Sequence, residues 1–294
     1  MIEETHGGGF ERLAFTARDG LSLHGRRYGR GSKGRPPVLC LAGLTRNSRD
    51  FHDIALALSG PGHGGHEVFT LDSRGRGLSA WDPSWKNYTV PVEAQDAIDF
   101  IAAHGLHGAS IIGTSRGGLL AMVMAALQPA TIGAVVLNDI GPVIELEGLK
   151  RIAGYVGRMP LPETWEAATE AVARYGRIAF PGVPEAQWAE VARQWFNEKD
   201  GRPVPGYDPD IARTFAVGEK PPPPLWAQFG ALARVPVLVV RGALSDLLSE
   251  ATVAEMRRRH PRCAALTVPG QAHAPLLKDA ETISAIARFL AGVA

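Results

Sequence analysis

Cysteine is nearly absent from this chain: 294 residues contain two, Cys40 and Cys263. Each lies in an apolar segment with strand character, so neither a disulfide framework nor a metal-ligand spacing follows from them. An excess of charge of either sign is also lacking. With 31 basic and 30 acidic residues the net charge is +1, which excludes the broad basic field that nucleic acid requires. The short run Arg257-Arg258-Arg259 ends an amphipathic segment, where it complements a helix dipole. No apolar run is long enough to cross a bilayer. The opening Met1-Ile2-Glu3-Glu4-Thr5-His6 is acidic and lacks an apolar signal core, so a cytoplasmic location is expected. The 45% hydrophobic content suffices for one sizeable core and a smaller appendage.

Short apolar strands alternate with helical patterns along the first half. Phe10 to Ala17 and Leu21 to Tyr28 read as a hairpin around Arg18-Asp19-Gly20. Pro37-Val38-Leu39-Cys40-Leu41-Ala42-Gly43 is a continuous apolar run and suits a strand buried on both faces. Helical spacing covers Asp50 to Leu58, and His66 to Asp72 reads as a strand. Val92 to Ala103 presents Ala94, Ala97, Ile98 and Ile101 on one helical face. Ala109 to Gly113 is a strand, Gly117 to Leu127 a buried helix, and Ile132 to Leu137 a strand. This alternation predicts an α/β fold, a parallel sheet with helices on both faces. From Gly141 to about Leu225 no convincing strand is visible. Aromatic-rich helical pieces, Glu163 to Tyr175 and Glu185 to Phe196, are separated by Pro- and Gly-rich joints. The segment closes on the stiff connector Pro221-Pro222-Pro223-Pro224. The alternation resumes with Val235 to Arg241, Thr252 to Arg259, Ala264 to Val268 and Glu281 to Leu290. The expected division is a core of residues 1–140 and 226–294 with a helical insertion over 141–225.

One serine stands at a junction of these elements. Gly113-Thr114-Ser115-Arg116-Gly117 matches G-x-S-x-G, with a strand before it and a helix after it. Such a turn is sharp enough to force the serine into a strained conformation, and flanking glycines remove the Cβ atoms that would clash. The hydroxyl then stands above the sheet at the positive end of the helix. A serine hydroxyl is a weak nucleophile until a base takes its proton, so a histidine and an orienting carboxylate are needed.

In this motif class the partners follow in the order Ser, Asp or Glu, His. Asp246 follows the strand Val237 to Val240, and His273 follows the strand ending at Val268. Both therefore fall at the same sheet edge as Ser115. His63, His66, His104, His107 and His260 fall at the wrong edge. Asp139, just after the strand Ile132 to Leu137, is the rival carboxylate. Asp246 is preferred because its strand stands beside the one that delivers His273. The oxyanion of a tetrahedral intermediate needs preorganised donors. Backbone N–H groups of Arg116, directly after the nucleophile, and of Leu44, in the loop Ala42-Gly43-Leu44-Thr45-Arg46-Asn47, are the candidates.

Together these residues resemble the α/β-hydrolase superfamily over nearly the whole chain, from about Phe10 to Leu290. Ala42-Gly43-Leu44 takes the place of the commoner His-Gly in the oxyanion loop. Asp72-Ser73-Arg74-Gly75-Arg76-Gly77-Leu78-Ser79 looks like the D-x-R-G-x-G-x-S turn of these proteins. That turn also has the look of a phosphate loop, but it lacks the Gly-Lys-Ser or Gly-Lys-Thr ending. The resemblance implies an eight-stranded sheet with a helical cap inserted after the sixth strand. Serine at the elbow disfavours the dehalogenase and epoxide hydrolase relatives, which carry aspartate there. C–C bond hydrolases of the superfamily usually place tryptophan after the histidine and Gly-Pro-Gly after the oxyanion loop; here stand Ala274 and Thr45-Arg46-Asn47.

The expected activity is hydrolysis of a small carboxylic ester or lactone through Ser115, His273 and Asp246, with no metal or organic cofactor. The alternatives are hydrolysis of a C–C bond in a vinylogous diketone and, in a different class, a non-catalytic small-molecule receptor on the same fold. A cofactor-free haloperoxidase-like side activity would use the same residues. The cap aromatics Tyr155, Trp165, Trp188, Trp195, Phe196, Phe215 and Trp226 supply both a cap core and a hydrophobic acyl or aryl pocket, with Trp165, Trp188 and Trp226 as the pocket candidates. The Arg116 side chain is a candidate contact for an acidic substrate. The expected partner is a small molecule, with neither nucleic acid nor membrane; a homodimer is compatible with the sequence.

Overall fold

The computed structural model describes residues 8–158, 161–215 and 217–293, so the acidic opening segment lies outside the described residues. Among the described residues, ten strands and nine α-helices follow in the order β1 (Glu11–Thr16), β2 (Ser22–Tyr28), β3 (Val38–Leu41), α1 (His52–Ser59), β4 (Val68–Leu71), α2 (Val90–Ala103), β5 (Ala109–Thr114), α3 (Arg116–Leu127) and β6 (Ile132–Asn138). Then come α4 (Leu146–Tyr155), α5 (Trp165–Ala179), α6 (Trp188–Trp195), β7 (Asn197–Lys199), β8 (Arg202–Val204) and α7 (Trp226–Gly230). The chain closes with β9 (Val237–Gly242), α8 (Glu250–Arg259), β10 (Cys263–Val268) and α9 (Ala280–Ala291).

Eight strands form one sheet in the order β1-β2-β4-β3-β5-β6-β9-β10. The β1–β2 and β2–β4 pairs are antiparallel and the rest are parallel. The expected hairpin is therefore present, in an eight-stranded sheet that is mostly parallel. The central strands are apolar on both faces because helices cover both. Leu39, Leu41, Ile111 and Val135 pack with Ala94, Ile98, Leu120 and Met256 of α2, α3 and α8. Their alternate neighbours Val38, Cys40, Ile112 and Val136 pack on the other side with Ile54 and Leu58 of α1 and Ile286 and Leu290 of α9. Side chains alternate across a strand, so a continuous apolar run is what a sheet sandwiched between helices requires. Each such fully buried aliphatic side chain contributes about 1.5–3 kcal/mol.

Between β6 and β9 the chain leaves the sheet. Here α5 and α6 bury a cluster of their own, including Ala168, Val172, Trp188 and Val191. Gly176 of α5 is required by that packing: a Cβ there would meet the Trp188 ring at 2.2 Å. One finding departs from the sequence reading, which saw no strand in this segment. β7 and β8 pair antiparallel around Asp200 and Gly201, both at positive φ (53° and 74°). Asp-Gly with two positive φ values is the type I′ hairpin signature. The strands escape notice because Asn-Glu-Lys and Arg-Pro-Val lack apolar alternation.

Candidate active site

Ser115 sits between β5 and α3 with φ 51° and ψ −114°, a conformation that L-residues adopt only under constraint. The constraint is packing. A Cβ on Gly113 would meet the Gly117 carbonyl at 2.5 Å, one on Gly117 would meet the Leu41 carbonyl oxygen at 2.0 Å, and one on Gly118 would meet Ile140 at 2.3 Å. The three glycines let α3 start close against β3 and β6. The Ser115 amide donates to the Asn138 carbonyl at 2.9 Å, anchoring the turn to the neighbouring strand. Gly117→Ala, whose methyl has no space to enter, is expected to cost about 3 kcal/mol or more. Urea denaturation of the two proteins measures it, and an unchanged midpoint would contradict the packing described.

His273 lies in the loop between β10 and α9. Its Nε2 is 2.9 Å from Ser115 Oγ, and its Nδ1 is 2.8 Å from Asp139 Oδ2. The loop is tied to the sheet through Asn138, whose Nδ2 donates to the Pro275 carbonyl at 2.9 Å and to Thr114 Oγ1 at 3.0 Å. Asp139 is fully buried and stands one residue past β6, at φ 55°. Its Oδ1 accepts from the Gly242 amide at 2.8 Å, and its Oδ2 accepts from the Ser245 hydroxyl at 2.6 Å. A carboxylate with both oxygens so occupied fixes the imidazole tautomer and orientation, which is the role of the third member of a serine–histidine pair.

The carboxylate expected from the sequence, Asp246, is not the one that reaches His273. Its oxygens accept from Arg151 Nε at 2.5 Å and Nη2 at 2.7 Å. Burial pushes its carboxyl up, but Arg151 outweighs that and holds it below the ordinary carboxylate value. The reason is strand order. β6 lies between β5 and β9, so the residue after β6 stands next to the serine. After β9 the chain turns back, aiming Ser245 at Asp139 and Asp246 outward at α4.

The two oxyanion candidates are backbone amides left unpaired among the described residues. The Arg116 N–H is at the free start of α3, and neither it nor the Leu44 N–H has a backbone partner among the described residues. The Arg116 side chain does not face a substrate: Glu93 takes its Nε at 2.7 Å and its Nη2 at 2.9 Å, and the Tyr88 carbonyl takes Nη2 at 3.0 Å. Asp72 of the Asp-Ser-Arg-Gly turn is likewise structural. It accepts from the Ser48 and Leu78 amides and from His24 Nδ1. Burial pushes its carboxyl up, and these bonds overcome it and bring it down to about 2.

A cavity of about 490 Å³ opens over Ser115 and His273. Its cap wall is made of Tyr155, Tyr175, Phe180, Trp195, Phe196 and Tyr207. The three tryptophans expected there lie elsewhere. Trp188 is buried in the α5–α6 core and Trp165 packs against that core. Trp226 packs on the main core, under Arg259 with its guanidinium carbon 4.0 Å from the ring centroid. Large aromatics at helical spacing serve the cap's own interior first. The cavity lining comes from positions one turn away and from loops, which periodicity does not mark. Arg46 also lines the cavity. It is held by Asp50 and stacks on Trp195 at 4.2 Å. Among the described residues no group of three or more His, Cys, Asp or Glu side chains is arranged to hold a metal ion, and no helix is long and apolar enough to cross a membrane.

Residues 36–279 match the model of the alpha/beta hydrolase fold family, and the chain belongs to that family. It is 35% identical over 282 residues to a 3-hydroxybutyrate-oligomer hydrolase of Cupriavidus necator, covering 89% of this chain and 91% of that protein. It is 28% identical to a 2-(acetamidomethylene)succinate hydrolase of Mesorhizobium japonicum, over 92% of each chain. The crystal structure of an alpha/beta hydrolase from Novosphingobium aromaticivorans superposes with a TM-score of 0.88 at 41% identity, covering 97% of this chain and 99% of that one. These relatives and the fold establish a hydrolase of the α/β type.

Proposed function

We propose that the protein is a serine hydrolase of small carboxylic esters, working through Ser115, His273 and Asp139. The observation that carries this is the unbroken relay from Asp139 through His273 to Ser115, with both links under 3 Å, on the floor of a closed-over apolar cavity. His273 Nε2 takes the Ser115 proton as Oγ attacks the ester carbonyl. Asp139 steadies the imidazolium that forms. The carbonyl oxygen becomes an oxyanion and is met by the Leu44 and Arg116 N–H groups. Collapse breaks the C–O bond to the leaving alcohol, which receives its proton from His273 and departs. A water then gives His273 a proton and attacks the acyl-enzyme, releasing the acid and restoring Ser115. A lactone would open by the same steps, its alcohol staying attached.

The cavity and the kinship both support this substrate class. A cavity of about 490 Å³ is at the small end of ligand sites, which suits a short ester. One relative carries the name of a hydrolase of 3-hydroxybutyrate oligomers, and such an oligomer is a row of esters ending in a free carboxylate. Arg46 supplies a cation in the lining of the same cavity as Ser115. Two of its nitrogens serve Asp50, and Nη1 has no hydrogen-bond partner among the described residues. Short hydroxyacyl esters with a free carboxylate are the substrates this arrangement favours. Arg46→Gln is expected to raise KM for the hydroxybutyrate dimer about tenfold, the worth of one charge-assisted hydrogen bond, and to leave its methyl ester unaffected. Steady-state kinetics on the two esters measures this, and an equal effect on both would remove the carboxylate contact. Wild type that hydrolyses neither ester would sink the substrate class.

A further inference from the structure

The two oxyanion donors belong to separate pieces of backbone: Leu44 to an irregular loop after β3, Arg116 to the start of α3. We infer that Glu93 and Arg76 are positioning residues that hold these two pieces at a fixed separation. The inference rests on the serine-hydrolase reading above and deepens it.

The connection is continuous and buried. Glu93, in the first turn of α2, has a side chain only 1% exposed. Its Oε1 accepts from Arg76 Nη1 at 2.8 Å and from Arg116 Nη2 at 2.9 Å, and its Oε2 accepts from Arg116 Nε at 2.7 Å. Arg76, also 1% exposed, turns its Nε to the Leu44 carbonyl oxygen at 2.8 Å and gives Nη1 to the Arg74 carbonyl at 2.7 Å. One carboxylate thus grips the residue that carries the second donor. Through one guanidinium it also grips the residue that carries the first. The far end of the loop is anchored by Asn47, whose Nδ2 donates to the Gln194 carbonyl at 2.9 Å, and by a turn from the Arg46 amide to the Gly43 carbonyl at 3.1 Å. At Leu44 itself, among the described residues, the bond from Arg76 is the hydrogen bond that holds the backbone.

Preorganised donors stabilise a developing oxyanion because they need no reorientation during the reaction. A loop donor free to rotate would lose that advantage. Glu93 stays ionised in its buried site. Burial pushes its carboxyl up, but the charges of Arg76 and Arg116 outweigh this and hold it below the ordinary value. A cluster that merely joined α2 to α3 would not need Arg76 to reach the Leu44 carbonyl.

The test compares wild type with Arg76→Lys, Glu93→Gln and Glu93→Asp. Active sites are counted by complete reaction with a p-nitrophenyl alkylphosphonate. Then kcat and KM are measured on p-nitrophenyl butyrate, with the inhibition constant of phenylboronic acid, which forms a tetrahedral anion on the serine. Arg76→Lys keeps the charge but gathers into one ammonium the bonds that two guanidinium nitrogens now make separately, Nε to the Leu44 carbonyl and Nη1 to Glu93. It is expected to lower kcat per titrated site about 10- to 100-fold with KM within about threefold, and to weaken the boronate in proportion to kcat. Glu93→Asp should recover part of the kcat lost in Glu93→Gln. Variants with unchanged kcat per site and unchanged boronate affinity, losing only thermal stability or titratable sites, would overturn the inference and leave a structural cluster. Should Glu93→Gln fail to fold, Arg76→Lys decides alone. Wild type that neither turns over the ester nor reacts with the phosphonate overturns the hydrolase reading, and the positioning role with it. An active wild type beside unaffected variants overturns the positioning role only.

Discussion

Ser115→Ala is expected to lower kcat for ester hydrolysis by about five orders of magnitude, with KM and thermal stability nearly unchanged. The serine is the only group that can form the acyl bond in the proposed route. Without it the cavity, the oxyanion donors and His273 still bind the ester and polarise its carbonyl, so some catalysis over water remains. Stability should hold because the strain of the turn resides in the backbone at φ 51° and in the glycine packing around it, which alanine inherits. A p-nitrophenyl ester assay with active-site titration reads the loss. A variant that kept more than a tenth of the activity would remove Ser115 as nucleophile. It would leave the fold with a binding role or a different catalytic group.

The second large effect separates two aspartates. Asp139→Asn is expected to lower kcat about 10⁴-fold. The amide would offer His273 Nδ1 a donor where an acceptor is needed, and so favour the wrong tautomer. Asp246→Asn should change kcat by less than about threefold, since it breaks a partly exposed pair with Arg151 worth little in water. Asp139 is also held by the Gly242 amide and the Ser245 hydroxyl, so its asparagine variant should unfold at lower urea concentration as well. Rates are therefore to be compared per titrated site. The reverse pattern, an inactive Asp246→Asn beside an active Asp139→Asn, would show that the relay of the resting structure is not the one used in turnover.

Much of this molecule was legible in its sequence for a physical reason. Strands buried on both faces are apolar with little interruption, and Val38 to Leu41 and Val237 to Val240 have no other economical reading. A serine between glycines at a strand–helix junction follows from sterics, because no side chain fits where Gly117 meets Leu41. The candidate oxyanion amides of Leu44 and Arg116 were legible too, as backbone groups at fixed offsets from recognisable turns. Less local features were not. The cavity wall is assembled from loop and helix residues, such as Tyr155, Trp195 and Tyr207, that periodicity cannot separate from core aromatics such as Trp188. The β7–β8 hairpin carried its signal in Asp200-Gly201, while its strands carried none.

Taken alone, the order of residues determined the class of fold and singled out Ser115 and His273 as the candidate nucleophile and base, since each stands at a recognisable turn just past a strand. The choice between Asp139 and Asp246 was decided only by tertiary structure. Both lie just past a strand, and nothing local distinguishes them. The order of strands across the sheet brings β6 beside β5, carries Asp139 to His273, and leaves Asp246 to Arg151. The same long-range packing brings Glu93, Arg76 and Arg116 from three separate segments into one buried cluster, a juxtaposition with no trace in sequence spacing.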